Sequence, residues 1–506
     1  MPKSIKKRPA AALMEPGADV LATSKVPSGP QLPPWANHCA AILPGLGKLK
    51  HRFGRELNIT LWSDCGGMQV EMFALHEIAQ AMKQQFDLSI TLKDFCYCDS
   101  DPHAIKFAER NHNPLHIADD IMKRDFHGGT FDCKACGESH ALPQTGVDVY
   151  VCCFPCGPWS ARGKQLGFAD ADGQICWQAL KTIQYMKPCV FAMENVLRLD
   201  EHVSSEHVAT QTDLQHIVDA MNAELSDLYT ILILKSIDPT LAGFPVHKNR
   251  VAILGARRDV ANESALADAV NLLIGTPVPV QYNWRQLIGR STANIPWERL
   301  WQLQNPEERL AIIQSGCTCG LDPMINCPKH PCKCRCCSNA TGAMCQWRKL
   351  HVETLNTVAN KGSMSYDELV MMYKDRLSYV SLIEMHGHDA PTSCRERSML
   401  NIYAIFPELH PFGETPSVLD RSQSINRSGL RTDGTIGVMA TNAVMWSFAD
   451  ASVLSIEEKL KLMGHGPIDI MGFSPAQLKR MLGMSLHVGT AGLLMSILLS
   501  SLSSPR

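Results

Sequence analysis

Residues 147–164 read VDVYVCCFPCGPWSARGK, and this stretch decides the fold. Its first eight residues are almost all apolar, which is typical of a strand buried on both faces of a sheet. The run then breaks at Pro155, Cys156 and Gly157, residue types that favour a tight turn. The stretch alone leaves four roles open for Cys156: a metal ligand, a redox thiol, a buried apolar side chain or a nucleophile.

Similar apolar runs occur on both sides of this strand and alternate with helical patterns over residues 56–258. The other strand-like runs are NITLWSD, DFCYCD, PCVFAMENV, YTILILKSID and NRVAILGA. Segments such as VEMFALHEIAQAMKQQF space their apolar residues at helical intervals. This alternation predicts an α/β fold with a mostly parallel, doubly wound sheet, in which ligands bind beyond the carboxyl ends of the strands.

Bulk composition limits the remaining possibilities. A chain of 506 residues exceeds the size at which one hydrophobic core keeps growing, so we expect two or three domains. A net charge of −2 gives no global signal for a nucleic-acid partner, and any basic surface must be local. The 20 cysteines favour free thiols and metal ligands in a reducing compartment over a disulfide framework.

Three successive strand ends carry groups that suit a nucleoside-bearing cofactor. The first strand runs into Cys65, Gly66 and Gly67, a turn that lets a ligand approach the backbone. The second ends near Asp99, which could accept hydrogen bonds from ribose hydroxyls, and the third near Asp120, which could accept from an exocyclic amine. Each acid alone is equally compatible with a solvated loop residue or a helix cap, so the prediction rests on their combination.

The next strands bring further polar groups to the same edge of the sheet. The fourth strand delivers Cys156, which neighbouring dipoles and cations could activate to the nucleophilic thiolate. The fifth delivers Glu194, so we expect this acid near Cys156. A later strand begins with Lys248 and Arg250, which lie two residues apart and therefore on one face.

The motifs FPCGPWSARGK, MENV and HKNRVAILG, in this order behind LWSDCGG, resemble those of the cytosine carbon-5 DNA methyltransferases. LSIEEKLKLMGH and LGMSLHV are similar to the last two motifs of that family. The resemblance covers roughly residues 57–258 and 446–500 and implies a Rossmann-like methyltransferase fold. It implies transfer of a methyl group from S-adenosylmethionine to carbon 5 of a flipped-out cytosine in DNA.

The resemblance also implies roles for single residues. Cys156 would attack carbon 6 of cytosine, Glu194 would stabilise the protonated pyrimidine at N3, and Arg250 would contact O2. Asn195 would brace the loop, and Ser160 lies in the segment after the nucleophile. The residues implied to bind the cofactor are Cys65, Gly66, Gly67, Asp99, Ser100, Asp120 and Pro155. Two alternatives stay open: methylation of transfer RNA, and a noncatalytic, zinc-stabilised nucleic-acid-binding descendant.

Five departures from the family pattern bear on activity. Asp64 stands where the family usually has glycine, and it adds a side chain and a negative charge beside the cofactor turn. Gly157 replaces a common glutamine after the nucleophile, and Met484 replaces the asparagine of a terminal Gly-Asn pair. Val246 and Lys248 occupy places usually held by glutamine and arginine.

A cysteine-rich island between residues 317 and 345 predicts structural zinc. Thiolates bind zinc tetrahedrally, so eight cysteines could close two four-ligand sites. The candidate ligands are Cys317, Cys319, Cys327, Cys332, Cys334, Cys336, Cys337 and Cys345. A second candidate, Cys133, Cys136 and His140, lacks an identified fourth ligand, and a surface loop with free thiols is its alternative.

These patterns give a domain plan. We predict a disordered tail and lead-in over residues 1–50, a methyltransferase domain over 51–258, a target-recognition domain with the zinc island over 259–450, and C-terminal helices over 451–506 that complete the catalytic domain. The uncharged stretch after Met481 is broken by glycines and serines, so we expect a buried core helix and no membrane contact. The basic segment KSIKKRP and the lack of a visible leader favour the nucleus if the source is eukaryotic, and the cytoplasm otherwise.

Overall fold

The computed structural model describes residues 33–503 apart from 162, 202–210, 291–344, 375–392, 406–417, 428–429 and 432. Its first nine strands are β1 (Glu56–Asp64), β2 (Ser89–Cys98), β3 (His116–Ala118), β4 (Thr130–Asp132), β5 (Ser139–Ala141), β6 (Val149–Cys152), β7 (Val190–Val196), β8 (Tyr229–Ile237) and β9 (Arg250–Arg257). Seven of them form one sheet in the order β3-β2-β1-β6-β7-β9-β8, and β4 and β5 form a separate hairpin. All neighbours in the sheet are parallel except at β9, which runs antiparallel to β7 and β8. The predicted mostly parallel α/β sheet is confirmed.

Helices fill the connections between these strands and continue beyond them. Around the sheet they are α1 (Trp35–Ile42), α2 (Pro44–Phe53), α3 (Val70–Phe86), α4 (Pro102–Asn111), α5 (Ile175–Met186), α6 (Asp213–Leu225), α7 (Glu263–Gly275) and α8 (Trp284–Ile288). Farther along the chain are α9 (Gln346–Lys361), α10 (Tyr366–Lys374), α11 (Cys394–Ile405), β10 (Val418–Asp420), β11 (Met445–Ser447), β12 (Ser452–Val453), α12 (Ile456–Leu462), α13 (Pro475–Met484) and α14 (Val488–Ser501).

The sheet is buried on both faces. Successive residues of a strand point to opposite sides, so neighbouring side chains enter different hydrophobic clusters. In β1, Leu61 belongs to the hydrophobic cluster on one face and Trp62 to the cluster on the other. In β6, Val151 and Cys152 divide in the same way. The near-continuous apolar runs in the sequence therefore reflect two cores, one on each side of the sheet.

The C-terminal helix α14 lies inside the first of these cores, where it packs against α3 and α7. The helical stretch Pro475–Ser501 has the length and hydropathy of a membrane span, and 89% of its most apolar window is buried in the protein. All residues of α14 are buried, including its serines, and the hydroxyls of Ser500 and Ser501 donate to the carbonyls of Ile497 and Leu498. The prediction of a buried core helix agrees with this packing.

The predicted domain limits need two adjustments. The end of the expected lead-in forms α1 and α2, and Trp35 is fully buried in the main core. Val260, Leu266 and Trp284 also pack in that core. The boundary between the catalytic domain and the second domain therefore lies later in the chain than residue 259. Residues 1–32 lie outside the described residues.

A separate hydrophobic cluster marks the second domain. It includes Leu355 of α9, Leu400 of α11, and Trp446 of β11, all fully buried. The island cysteines Cys317, Cys319, Cys327, Cys332, Cys334, Cys336 and Cys337 lie outside the described residues, and Cys345 is buried at the start of α9. The zinc island therefore stays a prediction.

Candidate active site

The turn after β6 holds the predicted nucleophile, Cys156, half-buried. Its carbonyl accepts hydrogen bonds from the backbone amides of Trp159 at 3.1 Å and Ser160 at 2.8 Å. Trp159 is fully buried, and its Nε1 donates to Asp213 Oδ2 at 2.8 Å, at the start of α6. This hydrogen bond fixes the turn to α6 and holds the Cys156 backbone at the end of β6.

The predicted acid and arginine lie at this same edge of the sheet. Because β9 runs antiparallel to β7, its first residue, Arg250, pairs with Val196 at the end of β7. Arg250 Nε forms an ion pair with Glu194 Oε1 at 2.7 Å, and both side chains are about nine-tenths buried. The structure therefore brings Glu194 and Arg250 together at one edge of the sheet.

The charges at this edge act on one another. Burial raises the pKa of the Cys156 thiol, while the positive charge of Arg250 opposes this shift and the charge of Glu194 adds to it. Burial also raises the pKa of Glu194, again against the effect of Arg250. A buried acid with a raised pKa can hold a proton for donation to a base, and a thiol beside a cation can lose its proton more readily than in an apolar setting.

Asn195 and Lys248 fix the surroundings of these groups. Asn195 Nδ2 donates to the carbonyl of Phe154 at 3.0 Å, which ties the end of β7 to the cysteine turn. Lys248 is fully buried, and its Nζ donates to the carbonyl of Leu482 at 3.1 Å. Burial lowers the pKa of Lys248 to about 7. This lysine joins the Arg250 strand to the end of α13, a role that the sequence did not suggest.

Sequence reasoning missed Cys153. The sequence suggests a core side chain, as it does for Cys152, Cys176 and Cys189, which are all buried. Cys153 is only partly buried, and its thiol contacts the Glu194 carboxylate, so it belongs to the site. The strand period offered a signal, since Cys153 alternates with Cys152 and must face the opposite side of the sheet.

The turn after β1 combines tight packing with one open side. A Cβ added at Gly66 would lie 2.6 Å from Tyr97 Cε2, so only glycine fits there. Gly67 has a φ of +55°, and nothing lies within 4 Å of the position of its missing Cβ. Its amide donates to Asp99 Oδ2 at 2.8 Å. Cys65 precedes them with a φ of +51°.

Two carboxylates stand at adjacent strand ends beside this turn. Cys98 pairs with Ala118 at the ends of β2 and β3, and Asp99 and Asp120 follow these strands. Burial raises the pKa of Asp99, and the Asp101 amide donates to its Oδ1 at 2.8 Å. Asp120 is partly exposed, and its Oδ1 accepts from the Met122 amide at 2.8 Å.

These residues fit S-adenosylmethionine. The open side of Gly67 gives an elongated ligand access to the backbone, and carboxylate oxygens at two neighbouring strand ends are acceptors for hydroxyl and amine donors. Asp99 and Asp120 also make local backbone hydrogen bonds, as the helix-cap alternative expected, and each carboxylate has further acceptor capacity. Ser100 follows Asp99, and Pro155 precedes Cys156, at the same edge of the sheet.

Asp64 does not face the cofactor turn. Its side chain is fully buried and forms a two-pronged ion pair with Arg124. Tyr150 O–H donates to Asp64 Oδ2 at 2.7 Å, and Trp62 Nε1 donates to Oδ1 at 3.0 Å. The expected negative charge beside the cofactor is therefore neutralised inside the core, on the side of the sheet that holds Tyr150.

The other departures are structurally simple. Gly157 is exposed, and nothing lies within 4 Å of the position of its missing Cβ. Met484 is 43% exposed at the end of α13, and Val246 is fully buried in the main core. Neither Gly157 nor Met484 disturbs the ion pair between Glu194 and Arg250.

The fold and this strand-edge site define a Rossmann-like methyltransferase. Residues 69–286 match the family model of the C-5 cytosine-specific DNA methylases. The match covers less than half of the 506 residues, and over this region the chain is similar to the C-5 cytosine-specific DNA methylases.

Several bacterial proteins are similar in sequence. The type II methyltransferase M.PspPI of Psychrobacter sp. (strain TA137) is 32% identical over 120 residues, which is 24% of this chain and 26% of that protein. M.HaeII of Haemophilus aegyptius is 32% identical over 111 residues, 21% of this chain and 31% of that protein. The chain thus spans only about a quarter to a third of the length of these relatives.

Solved structures also match over most of the chain. A putative DNA modification methyltransferase encoded within an E. coli prophage is 12% identical and covers 88% of this chain and 99% of its own, with a TM-score of 0.43. The Dnmt2 methyltransferase of S. pombe is 13% identical and covers 87% of this chain and 98% of its own, with a TM-score of 0.40.

Proposed function

We propose that the protein methylates carbon 5 of cytosine in DNA, with S-adenosylmethionine as the methyl donor. The observation that carries this proposal is the juxtaposition of Cys156 with the buried ion pair between Glu194 and Arg250. The match of residues 69–286 to the C-5 cytosine-specific family and the similarity to type II methyltransferases support the substrate class.

S-adenosylmethionine, when bound, supplies a methyl group made electrophilic by the adjoining sulfonium. Cys65, Gly66 and Gly67 would hold it at the turn after β1. Asp99 and Ser100, Asp120, and Pro155 would complete its pocket at the ends of β2, β3 and β6.

The chain's own residues would activate the cytosine. The Cys156 thiolate forms a bond to carbon 6, and Glu194 gives its proton to N3, so the electron pair of the C5–C6 double bond becomes available at carbon 5. Arg250 holds O2 and, through its ion pair, the Glu194 carboxylate. Water accepts the proton that later leaves carbon 5, the bond between sulfur and carbon 6 breaks to release the thiolate, and N3 returns its proton to Glu194.

The target base must leave the helix for this chemistry. Carbon 6 of a stacked cytosine cannot be reached by a side chain fixed at a sheet edge, so the base has to be extruded into the site. Ser160, whose amide donates to the Cys156 carbonyl, lies in the segment after the nucleophile and would meet the extruded nucleotide.

A methyl-transfer assay with paired cysteine variants tests the proposal. The full chain is incubated with labelled S-adenosylmethionine and duplexes that contain or lack cytosine. Cys156→Ser should abolish transfer. Cys176→Ser is the matched control, because Cys176 is buried away from the site and donates to the Gly173 carbonyl at 3.2 Å, a bond that serine can keep.

Two other outcomes identify the alternatives. Labelling of transfer RNA in place of duplex DNA would move the same chemistry to an RNA substrate. Absence of transfer together with absence of S-adenosylmethionine binding by calorimetry would identify a noncatalytic nucleic-acid-binding protein. Equal transfer by wild type and Cys156→Ser would refute the nucleophile.

Further proposals concern the cysteine island and the N-terminal segment, which lie outside the described residues except for Cys345. We retain the eight-cysteine island as a zinc-stabilised part of a target-recognition domain over residues 259–450, where Lys329 and Arg335 would suit phosphate contacts. The test compares the zinc content of the full chain with that of a variant that lacks residues 317–344. Nuclear import through KSIKKRP is tested by fusing that segment to a fluorescent reporter.

A further inference from the structure

A second group of metal-binding side chains lies beside β3, at the edge of the sheet, around the β4–β5 hairpin. Thr130–Asp132 pairs with Ser139–Ala141, and the turn between them contains Cys133 and Cys136. The Cys133 amide donates to the Glu138 carbonyl at 2.8 Å, and the Gly137 amide donates to the Cys133 carbonyl at 2.8 Å. Gly137 has a φ of +77°, which a residue with a side chain rarely adopts, so this Cys-x-x-Cys-Gly turn is well defined.

A histidine from another element completes the group. His116 is the first residue of β3, and its ring lies 4.3 Å between centroids from that of His140 in β5, with the two planes tilted by 47°. The ligand atoms of His116, Cys133 and His140 all lie within 4.8 Å of one another. Cys136 Sγ lies 3.0 Å from His140 Nε2 and contacts the Cys133 thiol. Two thiols and two imidazoles thus converge from three elements.

Two independent observations indicate that this group is built to hold a ligand. His116 Nδ1 is buried and has no hydrogen-bond partner in the part of the chain that the structure describes. Cys133 Sγ accepts from the Ile117 amide at 3.5 Å and also from the amides of Cys136 and Ala135. Several donors aimed at one sulfur suit a thiolate, which accepts strongly, better than a neutral thiol, which accepts weakly.

The surroundings would exclude water from one side of such a site. Cys133 is 2% exposed and belongs to the core cluster that also contains Trp62 and Phe131. The His116 ring packs on Phe95 at 5.1 Å and on Phe131 at 5.6 Å. Aromatic walls of this kind fix the imidazole orientation and protect bound metal from exchange.

We propose that Cys133, Cys136, His116 and His140 form a structural zinc site. Two thiolates and two imidazoles are a ligand set that zinc prefers, with tetrahedral geometry. The ion would clamp the hairpin to the start of β3, the edge strand that Asp119 and Asp120 follow. This inference stands on the geometry of the four residues and does not depend on the proposed methyl transfer.

Metal analysis of the full chain tests the site against the cysteine island. Zinc per protein is measured for wild type and for Cys133→Ser/Cys136→Ser, both purified under reducing conditions. The double variant should hold one equivalent less, whatever the island binds. His127→Ala removes an exposed histidine from the same segment and should keep the wild-type zinc content.

His116→Ala tests the ligand that sequence did not reveal. In competition with a chromogenic chelator, it should lose zinc from one site at least about tenfold more readily than wild type, because even outer-shell partners contribute about that much to metal affinity. The absorption spectra of the cobalt-loaded wild type and the cobalt-loaded double-serine variant are then compared. Their difference should show the visible absorption of a tetrahedral, thiolate-bound ion. Equal zinc contents in wild type and the double-serine variant would overturn the proposal. So would an intact mass showing that Cys133 and Cys136 form a disulfide in protein purified under reducing conditions.

Discussion

Replacing Arg124 with methionine would test the explanation for the Asp64 departure. Both side chains are essentially unexposed, at 0% for Asp64 and 1% for Arg124, and Arg124 Nη1 donates to Asp64 Oδ2 at 2.5 Å. Methionine keeps much of the side-chain length but leaves the Asp64 charge with only Tyr150 and Trp62 as donors. Breaking a buried ion pair in this way costs about 3–5 kcal/mol, so we expect that loss in the free energy of unfolding.

The matched double variant Asp64→Asn/Arg124→Met removes both charges together. The asparagine oxygen can still accept from Trp62 Nε1, and its amide group can donate to the Tyr150 oxygen. We expect the double variant to recover about 2–3 kcal/mol of the loss, the upper range of coupling between contacting residues.

Urea unfolding followed by tryptophan fluorescence measures both variants, since the Arg124 guanidinium lies 5.0 Å from the Trp62 ring. Losses that simply add in the double variant would refute the pairing. Asp64→Gly, which restores the residue usual in the family, should also destabilise the protein, because it strands the Arg124 charge.

Three further outcomes follow from buried groups at the sheet edge. Burial holds the pKa of Glu71 at about 7 instead of 4.5, so the folded state binds more protons between these values, and wild-type stability should fall as pH rises through that window. Glu71→Gln should remove this decline in urea unfolding, and parallel pH curves would contradict the assignment. Gly66→Ala should impair folding or S-adenosylmethionine binding because its Cβ would meet Tyr97 at 2.6 Å, whereas Gly157→Ala, which meets nothing within 4 Å, should leave calorimetric binding unchanged. Glu194→Gln should lower kcat for methyl transfer by about 10²–10⁴-fold with cofactor binding retained, since glutamine cannot give N3 a proton, and a wild-type kcat would argue against the acid.

The strands and the polar residues at their ends could be predicted from local sequence patterns. The run before Cys156 is apolar at every strand position because both faces of β6 are buried, and this is visible in the sequence. The cofactor turn was visible too, since two adjacent glycines, Gly66 and Gly67, follow the first strand almost directly. Such features depend on neighbours in sequence or on the strand period alone.

Partners that are distant in sequence could not be predicted. The direction of the Asp64 side chain depends on Arg124, 60 residues away, and the pairing has no sequence motif. His116 lies outside the Cys-x-x-Cys segment and joins Cys133 only because β3 and the hairpin meet. Cys153 differs from Cys152 by one position, yet that position decides whether the thiol faces the core or contacts Glu194.

The reversed strand β9 is the step that assembles the candidate site. In a fully parallel sheet, a residue that starts a strand lies at the edge opposite to one that ends its neighbour. Arg250 starts β9 and Glu194 lies near the end of β7, so a parallel β9 would place these residues at opposite edges. Between β8 and β9 the chain forms only the short 3₁₀ turn Pro239–Leu241, without the α-helix of a usual parallel crossover, and it returns antiparallel. The absence of a helical pattern before HKNRVAILG is therefore the sequence feature that brings Arg250 to Glu194.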